Sequence, residues 1–377
     1  MAEVLTNTTD LTKVAAAIRE KGGTSDLLVC PDGFVTAIQA IQTGTAELKI
    51  VVSVTSGATV TATKGSKVVS GTSVNGTCML TVPEEGEWTV SATLDGKTSD
   101  SNIVNVVSSY DTVLEFVSAS TTLNDNSWET IRKISDAGTG ANYWSVGDRK
   151  AVTLNGTVGA LTLSNFTTYA FIIGFNHNQG LEGANRIHFQ LAKTALSGGT
   201  DVCLCDSYYG STDAGFRMNT SLTNSGGWES SQMRTAICGT SLSSYSGTII
   251  AVIPEALRVV LKSVTKYTDN TGGGKGSIAS NVTATTDYFF LLSEYEVLGS
   301  VSTANSNEAS KQAQYAYYSA GNSAIKYKHD GTSTAAYWWL RSPRANNSNR
   351  FVNVDTKGAT DITNASYSLG FALGFCV

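Results

Sequence analysis

Charge is the first thing this sequence is short of. Only 15% of its 377 residues are charged and the formal net charge is −5. No basic surface is therefore available to hold a phosphate backbone or an anionic membrane, so nucleic acid is excluded as the expected partner and a neutral, polar one is favoured. No window approaches ~18 consecutive apolar residues, so no membrane insertion is expected. The opening "MAEVLTNTTDLTK" lacks the basic-then-apolar order of a secretory signal, which implies a chain made and left in a cytoplasm. Proline is also rare, at four residues. Beside 36 glycines and abundant Ser, Thr, Asn and Val, that scarcity favours short strands and many turns over long helices.

Reactive groups are few. The three histidines, His177, His188 and His329, form no metal motif, and His188, between Ile187 and Phe189, reads as the polar side of a strand. Six cysteines occur, Cys30, Cys78, Cys203, Cys205, Cys238 and Cys376, which in a reducing compartment read as free, mostly buried thiols. Cys203 and Cys205 are read as pointing to opposite faces of a strand, against a shared metal. No nucleophile elbow is present. "TGGGKGS" lacks a phosphate-loop spacing, because Gly276 follows Lys275 where Ser or Thr is needed, and reads as a flexible hairpin tip. Glu294 and Glu296 in "SEYEVLG" are read on one strand face, as paired carboxylates or, preferably, as structural groups. No metal, cofactor or catalytic residue is assigned.

The length suits two or three domains. In residues 1–45, Leu11, Val14 and Ile18 share one helical face after a Thr9/Asp10 cap, and Phe34, Ile38 and Ile41 share another. A unit this small needs a partner or copies of itself to bury its apolar side. Residues 46–108 change to period-two alternation between Gly-rich turns, as in "LKIVVSVTSG" and "EWTVSATLDG", the pattern of a small β-sandwich. Residues 109–377 run without a linker. A helix is expected around "SWETIRKISDAG" with Trp128, Ile131 and Ile134 on one face, and "YWSVGDRKAVTLNG" reads as a hairpin. Leu257, Val260, Leu261 and Val264 read as a helical stripe.

Three resemblances add to this. "SVGDRKAVTLNG", "FNHN", "MNTSLTNSGGWESSQMRT", "DYFFLLSEYEVLG", "QYAYYSAGNSAIKY", "YWWLRSP" and "GFALGFCV" together resemble a domain family of bacteria and their phages that looks like C-type-lectin folds related to formylglycine-generating enzymes. "AAAIREKGGTSDLLVCPDGFVTAIQAI" is similar to a segment at the start of many phage structural and tail proteins. "GEWTVSATLDGKTSDS" resembles bacterial immunoglobulin-like modules, which act as spacers. The fold class implied is multidomain and β-rich: a short helical N-terminus, an Ig-like β-sandwich, then an α+β C-type-lectin-like domain. The lectins' calcium loop and the enzymes' cysteine pair are both missing, so neither activity is expected, and Cys376 reads as a packing thiol.

The last domain also resembles the variable proteins of diversity-generating retroelements, which display hypervariable residues near the C-terminus of this fold. That resemblance places a ligand-binding surface on Arg344, Asn346, Asn347, Asn349, Asn353, Asp355, Asn364, Ser366 and Tyr367. The residues Trp338, Trp339 and Arg341 would be scaffold, with Arg341 anchored to a carboxylate or carbonyls. In the return strand "YSLGFALGFCV", Leu369, Phe371, Leu373 and Phe375 would share one face. Asn-rich loops are equally read as solvated turns, and Tyr315, Tyr317 and Tyr318, like the tryptophans, as core or as sugar-stacking platform. The function expected is a phage tail-tip or fibre receptor-binding protein, not an enzyme. Its head would bind a bacterial surface protein or glycan, its N-terminal segment other virion proteins, and it would form a homo-oligomer. The alternatives are a virion-associated glycan- or wall-degrading hydrolase and a purely structural virion protein.

Overall fold

The computed structural model describes residues 12–17, 47–107, 109–113 and 119–377. Residues 12–17 are helical, with Val14 49% exposed; the rest of the expected N-terminal stripes, and Cys30, lie outside the described residues. The chain is β-rich and divides into two compact units, residues 1–94 with 99–115, and residues 95–98 with 116–377. No helix among the described residues is long and apolar enough to cross a membrane.

The first unit contains two small sheets. In one, β1 (Lys49–Ser53) lies between β4 (Thr77–Thr81) and β7 (Ser109–Val113), antiparallel to the former and parallel to the latter. In the other, β3 (Lys67–Thr72), β2 (Thr59–Lys64), β5 (Gly86–Leu94) and β6 (Asn102–Val106) follow in order. The period-two reading locates the core: Ile50, Val52, Val60, Ala62, Trp88 and Val90 are buried while their neighbours in sequence face outward. β7 pairs with β1, and the first compact unit includes it.

The second unit is organised on a five-stranded antiparallel sheet. Its order is β13 (Phe289–Leu291), β17 (Leu373–Cys376), β10 (Ile187–Lys193), β9 (Leu161–Phe175) and β8 (Arg149–Val158). Every residue of β10 is buried, His188 included. A central strand covered on both faces has no solvent side, which corrects the alternation expected there. Helix α1 (Trp128–Asp136) starts where Ser127 Oγ accepts the Thr130 N–H at 3.0 Å, and it turns Trp128, Ile131 and Ile134 inward. Trp128 then meets Phe189 and Phe375 edge-on, at ring distances of 5.6 and 6.2 Å.

Smaller pieces surround this sheet. A hairpin joins β11 (Val264–Asp269) to β12 (Val282–Asp287), and Val202–Cys203, Lys326–Lys328 and Gly331–Ala336 form a further sheet. After β13 comes the short helix α2 (Glu294–Leu298), and β14 (Trp338–Pro343), β15 (Arg350–Val354) and β16 (Thr360–Asn364) form a three-stranded antiparallel sheet.

Four local expectations are corrected. The hairpin placed within residues 143–156 instead joins β8 to β9. The stripe at 257–264 is a single turn, Glu255–Arg258, after which the chain extends into β11; Leu257, Val260, Leu261 and Val264 are buried all the same. Glu294 and Glu296 sit on α2 rather than on a strand, because Ser293 and Glu296 form a reciprocal capping box. The glycine run after Thr271 is not a free tip. Asp269 Oδ1 accepts the N–H groups of Thr271 and Gly272 at 3.0 and 2.9 Å, and Asn224 Oδ1 accepts that of Gly273 at 2.8 Å. Gly272 has φ +57, and a Cβ there would stand 2.0 Å from the Asn224 carbonyl oxygen, so the position requires glycine.

Candidate functional site

Two arrangements in the second unit warrant a functional reading: the polar 344–367 segment and a buried charge network that includes Arg341, three residues before it. In the first, one buried side chain organises the Asn-rich loop. Asn224, fully buried, donates from Nδ2 to the carbonyls of Arg344 (3.2 Å), Asn347 (2.7 Å) and Arg350 (2.8 Å), and its own N–H reaches the Ser348 carbonyl at 2.7 Å. Asn347 Oδ1 closes a local turn by accepting the Asn349 N–H at 3.0 Å. Gly276 N–H and Ala345 N–H add bonds to Ala345 O and Thr303 O. Most bonds that fix the loop thus run through its main chain.

The residues assigned to the surface separate into two groups. Asn346 is exposed, while Arg344, Asn347, Asn349, Asp355, Asn364 and Tyr367 are half-buried. Asp355 Oδ1 caps the following turn by accepting the Lys357 and Ala359 N–H groups at 2.8 Å each, and Asn364 Oδ1 accepts from Arg350 Nε at 3.3 Å. Asn353 and Ser366 are not surface residues: Asn353 is 0% exposed at the centre of the small sheet, opposite Trp339 and Asp361, and Ser366 is 4% exposed. Asn353 lies in the middle strand of the three, where residues 351–354 are all buried, so neither face leaves it open to solvent.

The tryptophans and Arg341 are all fully buried. Trp338 Nε1 donates to Ala324 O at 3.0 Å and Trp339 Nε1 to Phe216 O at 2.9 Å. Arg341 leads into the second arrangement. Its guanidinium grips the Glu296 carboxylate through both terminal nitrogens and also reaches Leu291 O at 2.9 Å and Thr268 Oγ1 at 2.7 Å. On the other side of Glu296, Lys266 Nζ lies 2.9 Å from Glu296 Oε1, 2.6 Å from Glu182 Oε2 and 2.8 Å from Tyr315 Oη. Tyr315 Oη is 3.1 Å from His188 Nδ1, and the His177 ring stacks on Tyr315 at 3.8 Å.

Environment separates the carboxylates. Burial opposes ionisation of Glu296, yet Arg341 and Lys266 together hold its pKa well below the usual range. Glu182 shares only Lys266, and burial pushes it up to about 7. Glu308, buried against Ser342 Oγ (2.6 Å) and the Asp269 N–H (3.0 Å), is pushed up to about 7 by the same cause. Burial also lowers His177 to about 3, so it is neutral.

His177, Glu182 and Glu296 bring donor atoms within 4.8 Å of one another, the one such cluster among the described residues. The set does not fit a resident divalent cation. The Lys266 ammonium already bridges both carboxylates, and with Arg341 it balances their charge; an added dication would leave a large uncompensated charge in a desolvated interior. The network is accordingly a structural joint linking β11, α2 and β14.

Residues 201–375 match a family described as Domain of unknown function (DUF6273). No curated protein matches the chain. The matched region contains Asn224, Lys266, Glu296, Arg341 and the whole 344–367 segment, whereas Glu182, His177 and His188 precede it.

Sequence reasoning missed Asn224, Lys266 and Glu182. Only the phrase "SLTNSGGW" around Asn224 offered a signal, a polar residue ahead of a Gly-Gly turn, and nothing there ties it to residues 120 or more positions away. The reading of Cys203 and Cys205 is corrected as well. Side chains two apart on a strand share a face, and the thiol sulfurs stand 3.8 Å apart. The contact with Cys203 and burial push the Cys205 pKa far up, so the free thiolate of a reactive nucleophile is not favoured. Cys376 is buried against His188 at 3.4 Å and is pushed up to about 12 by burial.

One further buried group carries a prediction. Lys326 is fully buried, its Nζ has no hydrogen-bond partner and lies 5.1 and 5.5 Å from the Trp338 and Phe171 rings; burial lowers its pKa to about 8. In the unfolded chain the same group titrates near 10.5, so below pH 8 both states are charged and the fold bears the whole desolvation cost. That cost is relieved as pH rises from about 8 to about 10.5. Lys326→Met is expected to stabilise the second unit at pH 7 by on the order of 3 kcal/mol and to flatten this alkaline rise, as read from urea unfolding at pH 7 and pH 10. An unchanged midpoint at pH 7 would show that the ammonium is solvated.

Proposed function

We propose that the chain is a bacteriophage virion protein, at a tail tip or fibre, whose second unit is a C-type-lectin-like head that binds a bacterial surface protein or glycan without catalysing a reaction. The observation that carries this reading is the main-chain clamp on residues 344–350. Asn224 holds the loop by its carbonyls, so Asn346 and Ser348, both exposed, and Asn347 and Asn349, half-buried, form a surface whose chemistry can change while its shape persists. A retroelement-diversified surface needs that separation of shape from side-chain identity. The family resemblances of the second unit and of the N-terminal segment support the phage setting. The alternating sheets of the first unit support an Ig-like spacer. A shallow polar face gives modest affinity per head, so a homo-oligomer that multiplies the contacts suits the role.

Deep amplicon sequencing of the gene across a natural population tests the reading. Substitutions are expected to concentrate at the codons of Asn346, Asn347, Asn349 and Asn364 and to trace to adenines in a nearby near-copy, while Asn224 and Asn353 stay fixed because they are buried. Variation spread evenly over residues 330–377 would defeat the diversified-surface reading.

A further inference from the structure

We propose that the second unit also carries an oxyanion-binding cleft, separate from the 344–367 segment, whose ligand is a small acidic molecule presenting a carboxylate or phosphate. The cleft has a volume of about 450 Å³ and lies between α1, residues 184–186 and residues 261–263. Three cations, Arg132, Arg186 and Lys262, line it against a single carboxylate, Asp136. In a chain of net charge −5 that is a local reversal of sign, and it draws anions rather than the neutral partner expected elsewhere.

The three cations contribute differently. Lys262, 9% exposed, directs its ammonium at Asp136 Oδ1 (2.7 Å), Ser135 Oγ (3.1 Å) and Asn185 O (2.5 Å), so its protons are spent and it supplies charge alone. Burial lowers its pKa, Asp136 opposes that, and Arg132 and Arg186 add repulsion that a bound anion would relieve. Arg132 uses Nε on both Asp136 oxygens (3.0 and 2.8 Å) and Nη1 on Val260 O (2.9 Å), which leaves Nη2 uncommitted.

Arg186 is the centre of the site. Nε and Nη2 donate to Ser263 O at 3.0 and 2.8 Å, and Nη1 donates to Ala184 O at 2.7 Å, so every one of these bonds ends on a carbonyl and none on a carboxylate. The guanidinium lies over Gly183, where a Cβ would come within 2.3 Å of Nη1. It is therefore held rigid, and one N–H on each terminal nitrogen remains for a bidentate oxyanion. Tyr288 and Leu261 complete the lining and provide an apolar wall for the body of the ligand.

The full-length chain would be titrated by calorimetry with inorganic phosphate, galacturonate and galactose at constant ionic strength. Saturable binding of the two anions and none of galactose is expected. Phosphate without galacturonate would specify a phosphate ligand, and the reverse a carboxylate. Arg186→Gln is expected to weaken binding at least tenfold, and Lys262→Met to weaken it through loss of charge. Should Arg186→Gln fail to fold, Arg132→Gln is read in its place. Absence of saturable anion binding, equal binding of galactose, or full affinity in a folded Arg186→Gln or Arg132→Gln variant would overturn the proposal.

Discussion

Glu296→Gln is expected to cost the second unit about 3–5 kcal/mol, the range for breaking a buried ion pair by removing one partner. Glu296 is the anion that both Arg341 and Lys266 share, and all three side chains are fully buried. Glutamine fills the same space but leaves two desolvated cations with only Glu182 and Glu308 near them, and both of these are themselves reluctant to ionise. Urea unfolding followed by tryptophan fluorescence reads this directly, because of the six tryptophans only Trp88 lies outside the second unit. Adding Lys266→Met to Glu296→Gln removes one of the two cations left without their shared anion and is expected to recover part of the loss. If the double variant is as unstable as the sum of the singles, the charge argument is wrong and the effect is one of packing.

The second large effect is expected at Asn224. Asn224→Asp keeps the shape of the side chain but replaces the NH₂ that serves three carbonyls by an acceptor-only oxygen. Lost bonds at about 1 kcal/mol each, together with carbonyl-to-carboxylate repulsion, set a loss of about 3 kcal/mol or more in unfolding free energy. Asn346→Ala and Ser348→Ala, by contrast, alter exposed side chains and are expected to stay within about 0.5 kcal/mol of the parent. The contrast between these variants, rather than any one value, tests whether the loop is held by its main chain. A destabilisation at Asn346 comparable to that at Asn224 would show that the loop depends on its own side chains and has no freedom to vary.

Local patterns carried well from sequence to structure where the constraint was itself local. The helical spacing of Trp128, Ile131 and Ile134 gave α1, and period-two alternation gave the strands of the first unit. Reading failed where partners are distant. Glu294 and Glu296 look like a strand pair until the capping box with Ser293 turns them into a helix start. The value of Glu296 as a joint depends on Lys266 and Arg341, 30 and 45 residues away. Asn353 was indistinguishable in sequence from Asn346, because only strand pairing on both sides determines that one is buried and the other exposed. The Asn224 clamp left no periodic trace, since hydrogen bonds to carbonyls are indifferent to the side chains they hold in place.

The position of β17 bears on how the second unit is made. This strand lies between β13 and β10, and its partner His188 precedes Cys376 by 188 residues. During synthesis β10 must wait, with one edge unpaired, until residue 376 has left the ribosome. Pairing at such sequence distance is slow, so the growing chain spends about half of its translation with that strand edge open to other chains. Aggregation of nascent or truncated chains, rather than instability of the finished fold, is thus the hazard that this topology imposes on producing the protein in many copies.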